Sequence, residues 1–192
     1  INFWRRMTRR ALVTGGAGFI GSHVSDLFIA RGYDVEIIDN LSSGKRENVP
    51  AKAKLHVMDV SGPEAATLVA ETPFDVVAHL AAQIDVRKSV TDPLADARTN
   101  VLGSLSLLEA IKSSGRTKTR FVFSSTGGAI YGEQDAFPAS ESHKTEPLSP
   151  YGVAKLASER YLSFYAATYG MTYAALRYAN VYGPRQDPHG ET

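Results

Sequence analysis

The chain has 192 residues, of which 43% are hydrophobic and 21% charged, a composition typical of one ordinary globular domain. Its 21 basic and 20 acidic residues give a net charge of +1, so neither nucleic acid nor an anionic membrane surface is an expected partner. The absence of cysteine excludes disulfides, thiolate metal sites and a cysteine nucleophile, and fits a protein of the cytoplasm. No apolar run approaches the roughly 20 residues that span a bilayer, and no metal site is expected.

Apolar runs alternate with helical stretches along the chain, a pattern that predicts a doubly wound α/β fold with a parallel sheet. The predicted strands cover residues 11–14, 34–39, 54–58, 75–80, 120–125 and 173–177. The predicted helices cover residues 19–30, 63–70, 99–113 and 150–169, with a further short helix over 85–91. No linker divides the chain, so residues 8–192 are expected to form one domain. Residues 1–7 are interpreted as an N-terminal extension or an expression remnant.

A glycine-rich turn follows the first predicted strand and opens the first helix. Gly15, Gly18 and Gly21 are spaced G-x-x-G-x-x-G, which permits a tight turn and close approach of the backbone to a phosphate. Backbone N–H groups and the helix dipole favour a pyrophosphate at such a position. The turn alone is also compatible with a plain connection between strand and helix.

Asp39 ends the second predicted strand, 21 residues after Gly18. This is close to the roughly 20-residue offset at which a carboxylate accepts hydrogen bonds from an adenosine ribose. Turn and acid together predict a dinucleotide site. A carboxylate there repels a 2′-phosphate and so favours NAD, although Lys45 and Arg46 further along the loop leave NADP open.

Tyr151 and Lys155 lie at i and i+4 in a helix that Ser149 is predicted to cap and Pro150 to begin. A lysine ammonium beside a phenol lowers the phenol pKa, as a base that removes a hydroxyl proton requires. A pair on the helix surface is the alternative. The fifth strand, however, runs into residues 124–126, which bring hydroxyl groups to the edge of the sheet where α/β proteins bind ligands.

Six short motifs stand in order along the chain. They are Thr-Gly-Gly-Ala-Gly-Phe-Ile-Gly at 14–21, Asp-Asn-Leu at 39–41, His-Leu-Ala-Ala-Gln at 79–83, Ser-Ser-Thr at 124–126, Tyr-x-x-x-Lys at 151–155 and Arg-Tyr-Ala-Asn-Val-Tyr-Gly-Pro at 177–184. Together they resemble the extended short-chain dehydrogenase/reductase superfamily, and most of all its UDP-glucose (UDP-galactose) 4-epimerase branch. The resemblance covers residues 8–192. It implies a Rossmann-type sheet, a tightly held NAD, and interconversion of UDP-glucose and UDP-galactose through a transient 4-keto intermediate.

The resemblance also implies roles for individual residues. Tyr151 would take the proton of the sugar 4-hydroxyl, Lys155 would tune Tyr151 and touch the nicotinamide ribose, and Thr126 would hydrogen-bond the same sugar oxygen. The remaining implied cofactor contacts are Gly15, Gly18, Phe19, Ile20 and Gly21 at the pyrophosphate, Asp39, Asn40 and Leu41 at the adenosine ribose, Asp59 and Val60 at the adenine, and Leu80, Ala81, Ala82, Asn100, Ser124 and Tyr178 along the rest. Asn180 would face the nucleotide-sugar. Without the resemblance, Asn100 and Ser124 are equally compatible with hydrogen bonds inside a helix or strand, and Tyr178 is compatible with the core.

The sequence departs from the superfamily pattern in two respects. Gly127 and Gly128 stand where dehydratases and nucleotide-sugar decarboxylases place an acidic residue, so elimination chemistry is not expected. Family members are also much longer, and a mostly C-terminal lobe holds the uridine diphosphate. That lobe is expected to be missing from this chain, which should therefore retain NAD but show little epimerase activity alone.

Other functions remain open at this point. UDP-N-acetylglucosamine and UDP-glucuronate are alternative substrates, with Arg87 and Arg185 as candidates for binding the carboxylate of the latter. A catalytically silent dinucleotide-binding or sensor module is the alternative from another class. A homodimer is expected through helices 99–113 and 150–169, with apolar side chains that are predicted to face outward: Leu105, Leu108, Leu162 and Tyr165.

Overall fold

Six parallel strands form one sheet in the order β3-β2-β1-β4-β5-β6 in the computed structural model, which describes residues 8–187. The strands are β1 Arg10–Thr14, β2 Asp34–Asp39, β3 Lys54–Val57, β4 Val76–His79, β5 Arg120–Thr126 and β6 Thr172–Tyr178. Each end lies within one residue of its predicted position. Strand order reverses at β1, between β2 and β4, and a crevice for ligands opens at such a point. The predicted doubly wound fold is confirmed.

The α-helices of the described residues are α1 Phe19–Ala30, α2 Pro63–Glu71, α3 Val86–Thr91, α4 Pro93–Ala97, α5 Gly103–Ser113, α6 Gly127–Ile130 and α7 Pro150–Tyr169. Ser149 caps α7 as predicted, because its hydroxyl oxygen accepts the Gly152 N–H at 3.1 Å. The prediction did not include α4, α6 or the 3-10 turn at Arg46–Asn48.

The prediction of a regular helix from residue 99 is wrong, because a π-helical segment, Arg98–Leu102, precedes α5. This segment leaves the Asn100 carbonyl available to side chains. It accepts hydrogen bonds from the hydroxyls of Ser104 at 2.8 Å and Ser158 at 2.9 Å. The irregular turn therefore links α5 to α7.

The core has two layers, one on each face of the sheet. Phe121 and Phe123 of β5 pack under α2, α5 and α7, while Val13 and Ile37 pack under α1. The predicted outward orientation of four apolar side chains is wrong: Leu108, Leu162 and Tyr165 are buried in the first layer, and Leu105 packs partly against it. They point inward because α5 and α7 cover the sheet. The aromatic side chains that α7 exposes are instead Tyr161, Phe164 and Tyr169.

The interpretation of residues 1–7 as an extension lies outside the described residues. Within residues 8–187, no helix is both long enough and apolar enough to cross a membrane.

Candidate active site

The glycine-rich turn packs against the loop that follows β4. Gly15 has φ +73°, and a Cβ atom there would lie 2.7 Å from the Ala81 backbone nitrogen. A Cβ at Gly21 would overlap the Gly15 carbonyl oxygen. Among the described residues no side chain caps α1, whose N-cap is Gly18, so its first-turn N–H groups are available to an anion. The turn has the shape that a pyrophosphate needs.

Asp39 lies at the end of β2 beside this turn and is 7% exposed. One carboxylate oxygen accepts the Ala17 N–H at 2.9 Å, and the other accepts the Leu41 N–H at 2.8 Å. The side chain thus joins β2 to the glycine turn, a role that the sequence did not reveal. Each oxygen keeps a second lone pair that can accept from a ribose hydroxyl.

Two of the residues predicted to contact the adenosine, Asn40 and Asp59, are hydrogen-bonded to each other. Asn40 donates from its amide to the Asp59 carboxylate at 3.0 Å. Hydrogen bonds from Ser61 and Asn40 lower the pKa of Asp59 below its usual value. The side chain of Val60, in contrast, is buried in the core.

His79, at the end of β4, is fully buried and joins the turn to α5. Its Nδ1 lies 2.7 Å from the Thr14 hydroxyl and its Nε2 lies 3.0 Å from the Ser104 hydroxyl. Because Ser104 donates its proton to Asn100, the Ser104 oxygen accepts from Nε2–H, and Thr14 donates to Nδ1. Burial, with a contribution from the charge of Lys155, lowers the His79 pKa to about 3. His79 is therefore neutral.

The Asn100 side chain is hydrogen-bonded to the loop after β4 and to α4. The side chain accepts from the Gln83 N–H at 3.0 Å and donates to the Gln83 carbonyl at 2.9 Å and to the buried carboxylate of Asp96 at 3.0 Å. Both amide protons are thus used within the protein. Asn100 is therefore a hydrogen-bonding residue of the fold that holds Gln83 beside Asp96, and its predicted contact with the cofactor stays a prediction.

Lys155 contacts the end of β5, and Tyr151 lies beside it. The Lys155 ammonium is 3% exposed, donates to the Ser124 carbonyl at 2.9 Å, and lies 5.8 Å from the centre of the Tyr151 ring. Burial lowers the pKa of Lys155 to about 8, with the charge of Asp96 acting in the opposite direction. The lysine is therefore mostly an ammonium ion at neutral pH, as a group that stabilises a phenolate must be.

The other predicted substrate contacts, Thr126 and Asn180, and the predicted cofactor contact Tyr178 lie at the ends of β5 and β6. Thr126 and Tyr178 are partners in the register of these strands, and both are half-buried. Burial raises the pKa of Tyr178. Asn180 is exposed two residues beyond β6. Lys155, Tyr151, Thr126 and Tyr178 are thus brought to one edge of the sheet.

The two arginines considered for a sugar carboxylate differ in their surroundings. Arg185 donates to the Asp26 carboxylate of α1 at 2.6 Å. Arg87 is exposed near the start of α3, with its Nε 3.8 Å from Asp85. Arg185 is thus already engaged in an ion pair with α1.

Comparison with known proteins shows which family has this fold and these motifs. The NAD dependent epimerase/dehydratase family matches residues 11–192. The chain belongs to this family. The crystal structure of UDP-glucose 4-epimerase with UDP-glucose from Thermotoga maritima is 51% identical, with a TM-score of 0.90 over 95% of this chain and 59% of that one. The Thermus thermophilus UDP-glucose 4-epimerase in complex with NAD is 49% identical, with a TM-score of 0.89, and the match covers 95% of this chain and 58% of that one.

The sequence relatives agree with these structures. The UDP-glucose 4-epimerase of Mycolicibacterium smegmatis is 44% identical over 95% of this chain and 59% of its own length. The predicted resemblance to the UDP-glucose 4-epimerase branch of the family is confirmed. The chain spans about three-fifths of the length of these epimerases.

Proposed function

We propose that this chain is the NAD-binding and proton-transferring part of a UDP-sugar 4-epimerase, an isomerase that interconverts UDP-glucose and UDP-galactose. The observation that carries the proposal is the buried Lys155 ammonium, which lies beside Tyr151 and bonds to Ser124 at the end of β5. The relatives named UDP-glucose 4-epimerase support the choice of reaction.

The cofactor part of the proposal rests on the fit of the turn. Gly15 and Gly21 leave no room for side chains, and Asp39 presents a carboxylate where the adenosine ribose would lie. When bound, NAD would supply the reversible two-electron oxidation of the sugar C4. The acid at position 39, with no arginine directly after it, is the reason for choosing NAD over NADP.

The proton chemistry is carried by the protein. Tyr151, as phenolate, accepts the 4-hydroxyl proton while C4 becomes a ketone, and the same proton returns to the oxygen when C4 is reduced on its other face. The Lys155 ammonium stabilises the phenolate, and the Thr126 hydroxyl orients the sugar oxygen. The configuration at C4 is inverted when the 4-keto sugar rotates in the site before it is reduced, so that its other face receives the hydride.

A second substrate is favoured by one comparison. The UDP-N-acetylglucosamine 4-epimerase of Methanobrevibacter ruminantium is 39% identical to this chain, with a TM-score of 0.88 over 96% of it. UDP-glucuronate is less favoured, because Asp26 already engages Arg185. Parallel assays with UDP-glucose, UDP-N-acetylglucosamine and UDP-glucuronate decide among the three.

We further propose that the protein acts as a homodimer in the cytoplasm. The exposed aromatic side chains of α7, Tyr161 and Phe164, together with Leu102, give the α5/α7 face an apolar surface that a second copy would cover. Sedimentation of wild type and of Phe164→Glu tests this proposal. A monomer at micromolar concentration in the wild type would contradict it.

The function is tested with the chain alone and with the chain fused to the C-terminal part of the Mycolicibacterium smegmatis epimerase. Protein purified without added cofactor should release NAD on denaturation, and the fusion should epimerise a UDP-hexose far faster than the chain alone. Tyr151→Phe should lower turnover of the fusion by roughly a hundredfold or more while NAD stays bound. Tyr169→Phe, at the exposed end of α7, is the matched control.

The results separate the proposals. Release of NADPH would overturn the choice of NAD. Wild-type turnover by the Tyr151→Phe fusion would refute the proton transfer. An inactive fusion that still holds NAD would favour the silent sensor module.

A further inference from the structure

A buried ion pair lies beneath the active-site edge, one helical turn beyond Lys155. Glu159 of α7 is 8% exposed, and its carboxylate accepts two hydrogen bonds from the Arg177 guanidinium of β6, from Nε at 3.0 Å and from the terminal nitrogen at 2.7 Å. It also accepts from the Ser125 hydroxyl of β5 at 2.5 Å. Arg177 and Ser125 outweigh the effect of burial and lower the pKa of Glu159, so the carboxylate is ionised.

Arg177 is itself fixed from a second direction. It donates to the Tyr131 hydroxyl at 3.0 Å and to the Glu141 carbonyl at 3.3 Å, and its guanidinium lies 5.0 Å from the centre of the Tyr131 ring. A planar guanidinium with this many partners has one orientation. Glu159 therefore binds a rigid group on the sheet.

The position of Glu159 relates this ion pair to the proton-transfer residues. Tyr151, Lys155 and Glu159 are spaced four residues apart and so share one face of α7. Lys155 bonds to Ser124 and Glu159 bonds to Ser125, which are neighbours on β5. Ser125 and Arg177 are partners in the register of β5 and β6, directly before the pair Thr126 and Tyr178.

We propose that Glu159 is a positioning residue: by binding Ser125 and Arg177 together, it fixes the axial position and rotation of α7 against the sheet and so sets Tyr151 and Lys155 at the end of β5. This rests on the proposed function of Tyr151 and Lys155. Glu159 touches neither sugar nor cofactor and acts through the helix that carries both residues.

A positioning role and a plain charge effect predict opposite signs. Removal of the negative charge of Glu159 would, through space, favour nearby anions and lower the pKa of the Tyr151 phenol. Loss of helix register would move the Lys155 ammonium from the phenol and raise that pKa. The other ionisable groups that act on Lys155 or Glu159 are Asp96, Arg160 and the neutral His79. None of them changes in the variants below.

The test uses three variants of this chain. Glu159→Gln removes the charge, and Ser125→Ala removes one hydrogen bond without changing charge. Glu36→Gln is the matched control: Glu36 is also buried and bonds to Arg10 and His56, and it lies in β2, away from the active-site edge. We would measure the thermal unfolding and the NAD dissociation constant of each variant. We would also follow the ionisation of Tyr151 with pH, as the difference in ultraviolet absorbance between each variant and the same variant carrying Tyr151→Phe.

Glu159→Gln and Ser125→Ala should both raise the Tyr151 midpoint, by about half a pH unit or more, and should weaken NAD binding about fivefold. Glu36→Gln should lower thermal stability and leave both other values unchanged. A lowered midpoint in Glu159→Gln with no change in Ser125→Ala would overturn the proposal in favour of a charge effect. Unchanged NAD affinity in both variants would overturn it as well.

Failure of the proposed function has a different signature. It shows in the wild type, as absence of bound NAD or of a Tyr151 midpoint below that of free tyrosine, whereas failure of the positioning role shows only in the variants. If Glu159→Gln does not fold, Ser125→Ala still decides, because it removes a single bond and leaves the ion pair intact.

Discussion

Asp39→Asn separates the two roles that the structure gives to one carboxylate. Both oxygens of Asp39 accept backbone N–H groups, from Ala17 at 2.9 Å and Leu41 at 2.8 Å. An asparagine side chain has one acceptor and one donor, so one of these N–H groups would face an NH₂ group in a site that water barely reaches. Loss of a charge-assisted bond costs about 1.5–3 kcal/mol, which lowers the melting temperature of a chain of this size by roughly 4–10 °C.

The second role affects the cofactor. Loss of the ribose contact should weaken NAD binding by about 1.5–3 kcal/mol, equivalent to roughly a tenfold to a hundredfold rise in the dissociation constant. Thermal unfolding without cofactor measures the first effect, and calorimetric titration with NAD measures the second. Asp34→Asn, on the exposed end of the same strand, is the control and should change neither. Unchanged melting would refute the structural role, and unchanged NAD affinity would refute the ribose contact.

Two further predictions concern stability. Native His79 has a pKa of about 3 against 6.5 for the unshifted group, so below pH 6.5 the unfolded chain gains a proton that the folded one does not. The free energy of unfolding should therefore fall by about 1.4 kcal/mol per pH unit from this residue, and His79→Gln should remove that part of the slope in denaturant titrations; equal slopes would contradict a neutral, buried histidine. Arg116 donates to the carbonyls of Ala70 at 2.5 Å and Thr72 at 3.2 Å, at the end of α2. Arg116→Lys should lower the free energy of unfolding by about 1–2 kcal/mol, whereas the control Arg120→Lys should leave it unchanged. If chemical denaturation shows that Arg116→Lys is as stable as wild type, Arg116 does not cap the end of α2.

The sequence predicted those features that depend on neighbouring residues. Strands appear as short buried runs, and Gly15 reveals its turn because a positive φ and close contact with Ala81 both require glycine. The spacing of Tyr151 and Lys155 identified their common helix face. Each of these signals is local, so it survives without knowledge of the fold.

Features that depend on distant partners were not predicted. Asn100 bonds to Gln83 and its carbonyl accepts from Ser158, residues that only the tertiary fold brings together. The orientation of Leu108 and Leu162 was mistaken because a helix that lies between a sheet and another helix has apolar residues on more than one side. Periodicity alone does not identify which of these sides faces solvent.

The position of β1 in the sheet also has a consequence for the order of folding. It pairs with β2 through partners such as Ala11 and Val35, but with β4 through Ala11 and Val76, across a segment more than twice as long. Closure of the longer segment costs about 0.7–1 kcal/mol more in chain entropy, and it is the step that brings the loop after β4 against Gly15. The two walls of the crevice thus meet only after this slow, long-range pairing, and mutations at the β1–β4 contact should slow the appearance of the binding site more than the formation of the β1–β2 pair.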